Sequence, residues 1–581
     1  MDQELLKKCE QKAQFWLEGN YNESTKAEIK KMLENNDKTE LIDAFYQDLE
    51  FGTGGLRGIM GAGSNRMNIY TVGAATQGLA NYLKQQFPSK EQIKVVVGHD
   101  IRNNSKYFAK TVADIFSANG IKVYLFEDLR PTPEISFAIR TLGCQSGVMI
   151  TASHNPKEYN GYKAYWDDGA QFIAPHDVDV IKEVNKITDI SSIKFEGNPA
   201  LIEIIGEKID SLFIEKIKTL SLSPESIARH KDLKIVYSPI HGCGSVLVPR
   251  ALREYGFENV IKVDEQFVLS GDFPTVKSPN PEEPAALDLA IRKAKETDAD
   301  IVMASDPDSD RIGIAVKDEK GEWRLINGNQ TCMVYTYYLI KKWQELGRLT
   351  GNEYVVKTIV TTEIIKDIAQ KAGVELYDCY TGFKWIAAIM RENEGKKQYI
   401  GGGEESYGYL PEDFCRDKDA VSACALMAEI TAWAKDQSKT WLEMLQDIYL
   451  EYGYGKEKGI SVVRKGQSGA AEIKQMMSDY RSNPPMVIAG SKVVCIKDYQ
   501  TLKVIDMANG KEEALLMPTT SNVLQFFTED GTKISVRPSG TEPKIKFYIE
   551  VRGKMISRDD FYRAETEADA KIDAVRADFG I

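Results

Sequence analysis

No C-x-x-C pair occurs anywhere in the 581 residues, and the eight cysteines (Cys9, Cys144, Cys243, Cys332, Cys379, Cys415, Cys424, Cys495) are scattered. Such spacing argues against a zinc site or a disulfide framework. It points to reduced structural thiols, as with Cys495 inside Val493-Val494-Cys495-Ile496. No window approaches the roughly 18 consecutive apolar residues that cross a bilayer. The opening Met1-Asp2-Gln3-Glu4-Leu5-Leu6-Lys7-Lys8 lacks the apolar core of a signal peptide. Positive charge is also short: the formal net charge is −12, against a nucleic-acid-binding face. Low-complexity tracts and long linkers are missing. These absences predict a cytoplasmic protein without a membrane or nucleic-acid partner.

What is there is ordinary globular composition, 43% hydrophobic and 28% charged, in a chain too long for one core. Residues 1–48 carry Phe15, Trp16, Ile29, Met32, Leu33, Leu41, Ile42 and Phe45 at helical spacing and read as a helical preface. After Gly52-Thr53-Gly54-Gly55 the pattern alternates. A helix is expected over Thr71–Phe87, a strand at Ile93–Gly98, a helix over Lys106–Asn119 and a strand at Ile121–Phe126. That βαβ rhythm implies a largely parallel sheet covered by helices. It restarts at Leu233–Tyr237 and again at Tyr354–Val360. Three tandem α/β domains with mixed or parallel sheets are therefore expected, over 49–205, 206–325 and 326–452. A smaller α+β domain, packed as a lid, is expected over 453–581. Functional-looking loops follow strand ends, where open α/β sheets place their ligands.

Four runs carry chemistry. In Asp306-Pro307-Asp308-Ser309-Asp310-Arg311, three carboxylates at alternate positions share one face of an extended chain. Three carboxylates without His or Cys favour Mg²⁺ over zinc. An EF-hand loop counted from Asp306 would need Gly and Glu where Arg311 and Lys317 stand, so a calcium loop of that type is excluded. In Thr151-Ala152-Ser153-His154-Asn155-Pro156, Ser153 is either a nucleophile, given a base or metal to assist it, or part of a plain turn. His154 reads as a hydrogen-bonding group toward a phosphate rather than the base. Arg537-Pro538-Ser539-Gly540-Thr541-Glu542-Pro543-Lys544 offers a phosphate cradle of guanidinium, hydroxyls and backbone near a permissive Gly. Gly401-Gly402-Gly403-Glu404-Glu405-Ser406-Tyr407-Gly408 suits hydrogen bonding to sugar hydroxyls; adjacent glutamates are badly placed for a glycosidase pair. An acidic protein that takes a phosphate ester must also make its site locally positive.

With these four runs in this order, the chain resembles the alpha-D-phosphohexomutases of the phosphoglucomutase/phosphomannomutase superfamily, from about Phe51 onward. The resemblance implies four domains around a central cleft, each giving one loop, and one Mg²⁺ per chain. It implies that Ser153 is the phosphorylated serine, completing the metal shell of Asp306, Asp308 and Asp310. Arg311 matches the family arginine beside it, and Arg57 and Lys163 match residues facing the reacting phosphate. Lys384, in Thr381-Gly382-Phe383-Lys384, matches a lysine near the reacting hydroxyl. Glu404 and Ser406 match the sugar readers; Arg537, Ser539, Gly540 and Thr541 match the clamp on the non-reacting phosphate. His241 and Arg102 are open between a functional and a structural role.

Glu404-Glu405-Ser406-Tyr407-Gly408 is similar to the run of glucose-specific members, whereas the helical preface and the Ile240-His241-Gly242-Cys243 loop resemble the branch that includes phosphopentomutases. The expected reaction is interconversion of glucose 1-phosphate and glucose 6-phosphate through glucose 1,6-bisphosphate. Ribose, deoxyribose or mannose phosphates are the alternative substrates, and a monomer or weak homodimer is expected. A metal-dependent phosphatase and a sugar-phosphate-binding protein without activity are rival classes. The clamp for a second phosphate argues against the first, and the intact Ser153, Asp306, Asp308, Asp310 and Lys384 against the second.

Overall fold

The computed structural model describes residues 3–52, 54–464, 466–539 and 544–581, excluding the side chains of 466–468. The chain forms two compact units, one of residues 1–356 and 382–438, the other of 357–381 and 439–581.

In the first unit, three helices, Gln3–Glu18, Glu23–Glu34 and Thr39–Phe45, make up the preface. Their apolar stripes meet: Trp16 stacks on Tyr21 at 4.2 Å and sets its edge against Phe45 and Tyr70. Tyr70 belongs to the helix Ile69–Gln86, so the preface shares a core with the first α/β layer. That helix starts where Asn68 accepts from the Tyr70 and Thr71 amides while Thr71 answers the Asn68 amide, a reciprocal cap.

The first sheet orders its strands Gly55–Ile59, Tyr159–Tyr165, Ser146–Ile150, Lys94–His99, Lys122–Phe126, Ile202–Ile205. The last four are mutually parallel and Tyr159–Tyr165 is antiparallel to both its neighbours, so the sheet is mixed. Val95, Val97, Val123 and Val148 are fully buried under the covering helices. β-branched runs suit a strand enclosed on both faces. A second mixed sheet runs Trp323–Ile326, Ile312–Lys317, Ile301–Ser305, Ile235–Ser238, Val260–Lys262. Its central strand Ile301–Ser305 is buried throughout and ends directly at Asp306. Farther on, Gln398–Gly403 pairs antiparallel with Tyr409–Pro411, and the five residues between them are Glu404 to Gly408.

The second unit is built on an antiparallel sheet ordered Tyr454–Val463, Lys544–Gly553, Lys533–Pro538, Leu524–Thr528, Ser491–Asp498, Lys503–Asp506, Glu512–Ala514. The terminal helix Phe561–Phe579 packs on its apolar face through Phe579 against Phe526 and Phe547. No described helix is long and apolar enough to cross a membrane. Seven of the eight cysteines are buried thiols and Cys495 is half-buried.

Candidate active site

The acidic loop is held from three directions through its own backbone. The Pro307 carbonyl accepts from the Cys243 amide at 2.8 Å, the Asp308 carbonyl from the Thr132 amide at 2.9 Å, and the Ser309 carbonyl from the Ala420 amide at 3.1 Å. The close approach at Pro307 needs a glycine: a Cβ on Gly242 would lie 2.4 Å from the Pro307 Cα. This accounts for Gly242 in the Ile240-His241-Gly242-Cys243 loop. His241 itself is buried with both ring nitrogens engaged, Nδ1 at 2.7 Å from the Val268 carbonyl and Nε2 at 2.8 Å from Thr275 Oγ1. Its contacts are those of a structural residue.

Each aspartate has one oxygen pinned by the protein. Asp306 Oδ1 accepts from the Asp310 and Arg311 amides. Asp308 Oδ2 accepts from Thr132 Oγ1 and Lys163 Nζ, both at 2.7 Å. Asp310 Oδ2 accepts from Lys163 Nζ at 3.0 Å and pairs with Lys418 Nζ at 2.9 Å. Asp308 Oδ1 and Asp310 Oδ1 are buried with no hydrogen-bond partner among the described residues. Asp306 Oδ2 instead meets Ser153 Oγ at 3.0 Å. One carboxylate oxygen from each aspartate lies within 4.8 Å of the others. Orphaned buried carboxylate oxygens are costly unless a cation takes them, so these residues fit a hard divalent ion.

The charges agree. Burial, then the neighbouring Asp308 and Asp310 charges, push the Asp306 carboxyl well above the usual carboxylate range. Burial would raise Asp310 as well, but Lys163, Lys418 and Arg311 outweigh it and hold Asp310 low. Lys163 and Lys418 keep their protons because the same carboxylates outweigh their desolvation.

Ser153 follows the buried strand Ser146–Ile150 and takes φ +53°, a left-handed conformation uncommon for a non-glycine residue. Strained residues of this kind cluster at functional sites. His154 Nδ1 lies 3.2 Å from Ser153 Oγ. Burial, and then the Arg311 and Arg57 charges, push the His154 imidazole down to about 2, so the ring is neutral at physiological pH. Arg57, on Gly55–Ile59, donates to Asn155 Oδ1 at 3.2 Å. Arg311 forms an ion pair with Glu282 and faces Asp310 Oδ1 at 3.8 Å.

Glu404 is buried, and its Oε1 accepts from the Gly382 amide at 2.8 Å. Lys384 therefore starts its helix, Phe383–Asn393, next to the Glu404 loop, and burial lowers its ammonium from the ordinary range. Ser406 is half-buried one residue before Tyr407, which has φ +67°. Arg537 and Ser539 lie in the second unit, at and just beyond the end of Lys533–Pro538; Gly540 and Thr541 lie outside the described residues.

The structure thus gathers Ser153, His154, Arg57, Lys163, Asp306, Asp308, Asp310 and Arg311, with Glu404 near enough for its charge to act on Arg311, and it bonds Glu404 to Gly382, two residues before Lys384. Sequence reasoning missed Thr132, Glu282 and Lys418. Lys418 had a signal in hindsight: Arg416-Asp417-Lys418-Asp419 packs four charges immediately before the almost wholly buried helix Ala420–Asp436.

Comparison with known proteins matches the chain to four family models of phosphoglucomutase/phosphomannomutase. They are alpha/beta/alpha domain I at residues 48–191, domain II at 211–321, domain III at 327–452 and the C-terminal domain at 496–555. A phosphoglucomutase of Staphylococcus haemolyticus is 38% identical over 512 residues, covering 87% of this chain and 91% of that one. A human phosphopentomutase is 33% identical, covering 94% and 91%. The solved open form of Paramecium parafusin, a phosphoglucomutase, superposes with a TM-score of 0.66 at 18% identity, covering 92% and 96%, and shares the fold. Four family segments in order and a relative at 38% identity lead to one conclusion: this chain belongs to the phosphoglucomutase/phosphomannomutase family.

Proposed function

We propose that the chain interconverts α-D-glucose 1-phosphate and glucose 6-phosphate, with Ser153 as the phosphoryl carrier and glucose 1,6-bisphosphate as intermediate and activator. The observation that carries this reading is Ser153 Oγ at 3.0 Å from Asp306 Oδ2, beside two carboxylates that each keep one buried oxygen without a hydrogen bond among the described residues. Asp306, Asp308 and Asp310 would hold one Mg²⁺ there. When bound, the ion supplies positive charge against the negative charge that develops on the transferring oxygens.

The rest falls to side chains. In the forward step the bond between Ser153 Oγ and phosphorus breaks, and the free sugar hydroxyl forms a new bond to that phosphorus. The hydroxyl proton goes to a base, for which Lys384 is proposed because burial already disfavours its charged form. Arg57, Lys163 and Arg311 face the reacting phosphate, and neutral His154 keeps a hydrogen bond to the serine oxygen. The bisphosphate turns end for end. Its other phosphate then passes to Ser153, whose hydroxyl proton leaves as the sugar oxygen takes one up. Glu404 and Ser406 are proposed to read the sugar hydroxyls; Arg537, Ser539, Gly540 and Thr541 are proposed to take the non-reacting phosphate. A cytoplasmic enzyme of carbohydrate metabolism, monomeric or weakly dimeric, is in keeping with this chemistry.

The similarity to human phosphopentomutase favours a second reading, in which a pentose phosphate is the main substrate. Side-by-side kcat/KM values for glucose 1-phosphate, mannose 1-phosphate and ribose 1-phosphate with Mg²⁺ decide between them, with glucose 1-phosphate expected to be highest. Ser153→Ala should lower kcat by roughly a thousandfold or more while sugar-phosphate binding persists. Near-normal turnover in that variant would sink the carrier role.

A further inference from the structure

Beneath Ser153 lies a cluster that takes no part in the chemistry above. Arg102 is completely buried, and its guanidinium is aimed at the backbone of the loop that carries Ser153. Nη2 donates to the Ser153 carbonyl at 2.6 Å and to the Asn155 carbonyl; Nη1 donates to the carbonyls of Pro156 at 2.9 Å and Tyr159 at 3.1 Å. Nε pairs with Asp100 Oδ2 at 3.3 Å. The same Asp100 oxygen accepts from Thr151 Oγ1 at 2.7 Å, and Thr151 Oγ1 accepts from the Ser153 amide at 2.8 Å. Ser153 is therefore held on both sides, its amide by Thr151 and its carbonyl by Arg102.

The guanidinium also lies against the next domain. Its carbon is 5.1 Å from the centroid of the Phe273 ring. Phe273 belongs to the loop whose Val268 carbonyl and Thr275 hydroxyl are held by His241. That loop fits closely on the Arg102 segment, since a Cβ on Gly271 would fall 2.5 Å from the Asn103 amide nitrogen.

We propose that Arg102 is the positioning residue of the phosphoryl-carrying loop, and that Phe273 fixes the plane of its guanidinium from the metal-bearing domain. This rests on Ser153 being the carrier. Left-handed φ at a serine is unfavourable, and four carbonyls converging on one planar fork over-determine it. A lysine keeps the charge but has only a point of donors, so it cannot serve four carbonyls in that plane.

The test uses the full-length Mg²⁺ protein, with Arg102→Lys and Phe273→Leu as variants. The readouts are kcat, KM, circular dichroism and the rate at which Ser153 gains phosphate from glucose 1,6-bisphosphate, followed by intact mass. Arg102→Lys should lower kcat and the Ser153 phosphorylation rate together by about 10–100-fold, with KM within about twofold. Phe273→Leu should do the same by about threefold to tenfold, and it decides the matter if Arg102→Lys does not fold. Folded variants that phosphorylate Ser153 at the parental rate would overturn the proposal, as would a KM rise matching the kcat loss. If the parent itself gains no phosphate on Ser153, the carrier reading fails instead.

Discussion

At the scale of single residues, the centre is organised by which oxygen of each aspartate the protein occupies. Thr132 and Lys163 hold Asp308 by Oδ2, Lys163 and Lys418 hold Asp310 by Oδ2, and two backbone amides hold Asp306 by Oδ1. The opposite oxygens are the ones left to meet a cation. Groups behind metal ligands typically change affinity by 10–100-fold when removed. Thr132→Val, which keeps the shape and deletes the 2.7 Å bond, should weaken Mg²⁺ binding by about tenfold in a calorimetric titration, and excess Mg²⁺ should restore most of the activity. Unchanged affinity would show that Thr132 does no more than pack.

Among elements, the loops that matter are short and lie against rigid neighbours. The Glu404–Gly408 turn rests on the start of the helix Gly328–Glu345, where a Cβ on Gly328 would lie 1.9 Å from the Glu405 carbonyl oxygen. Backbone cannot move aside cheaply, so Gly328→Ala should displace the turn. Overpacking of this kind costs about 1–3 kcal/mol. We expect kcat/KM for the sugar phosphate to fall about tenfold or more, mainly through KM, with Mg²⁺ affinity unchanged. A loss confined to kcat would place the turn's role elsewhere.

The elements themselves were largely legible. The periodicity over Thr71–Phe87 predicts a helix that the structure begins two residues earlier, because Asn68 caps it there. The apolar run Ala299–Ala304 predicts a strand into the acidic loop, and Ile301–Ser305 is that strand. Thr132 was not legible, because nothing local to 132 announces a residue brought to Asp308 from far along the chain, and the run of charge around Lys418 does not say that its partner is Asp310. Arg102 was undecided for the same reason: its partners at 153–159 lie some fifty residues away.

On the scale of the whole molecule, the preface adds structure whose chemistry is not that of the site, whereas the second unit carries Arg537 and Ser539 of the proposed phosphate clamp. The segment 357–381 lies in a stretch matched to domain III, yet it packs with the C-terminal unit. The reason is a buried lattice of charge. Lys357 pairs with Glu363 and Asp378, and Lys533 pairs with Glu363 and Glu550. Glu550 also accepts from the Glu363 amide at 2.9 Å.

Across the sheet Glu457 stands directly opposite Glu550. Burial, then the Glu550 charge, raise the Glu457 carboxyl from 4.5 to about 7, against the opposing influence of Thr362, Lys533 and Arg552. Between those values the folded state binds the extra proton, so stability falls as pH rises through this window. Glu457→Gln should match the parent near pH 5 and melt about 2–4 °C higher at pH 8, the shift expected of about 1 kcal/mol in a unit of this size. Equal melting at both pH values would mean that Glu457 ionises freely.

By itself the sequence determined the family, the acidic and serine runs, and the strands that end in them, because local pattern and residue chemistry act over a few positions. Tertiary structure decided which oxygen of each aspartate is left for a cation, that His154 is neutral, that His241 is structural, and that Arg102 grips the Ser153 loop. Those outcomes depend on burial and on distances between residues far apart in the chain, which spacing along a sequence does not contain.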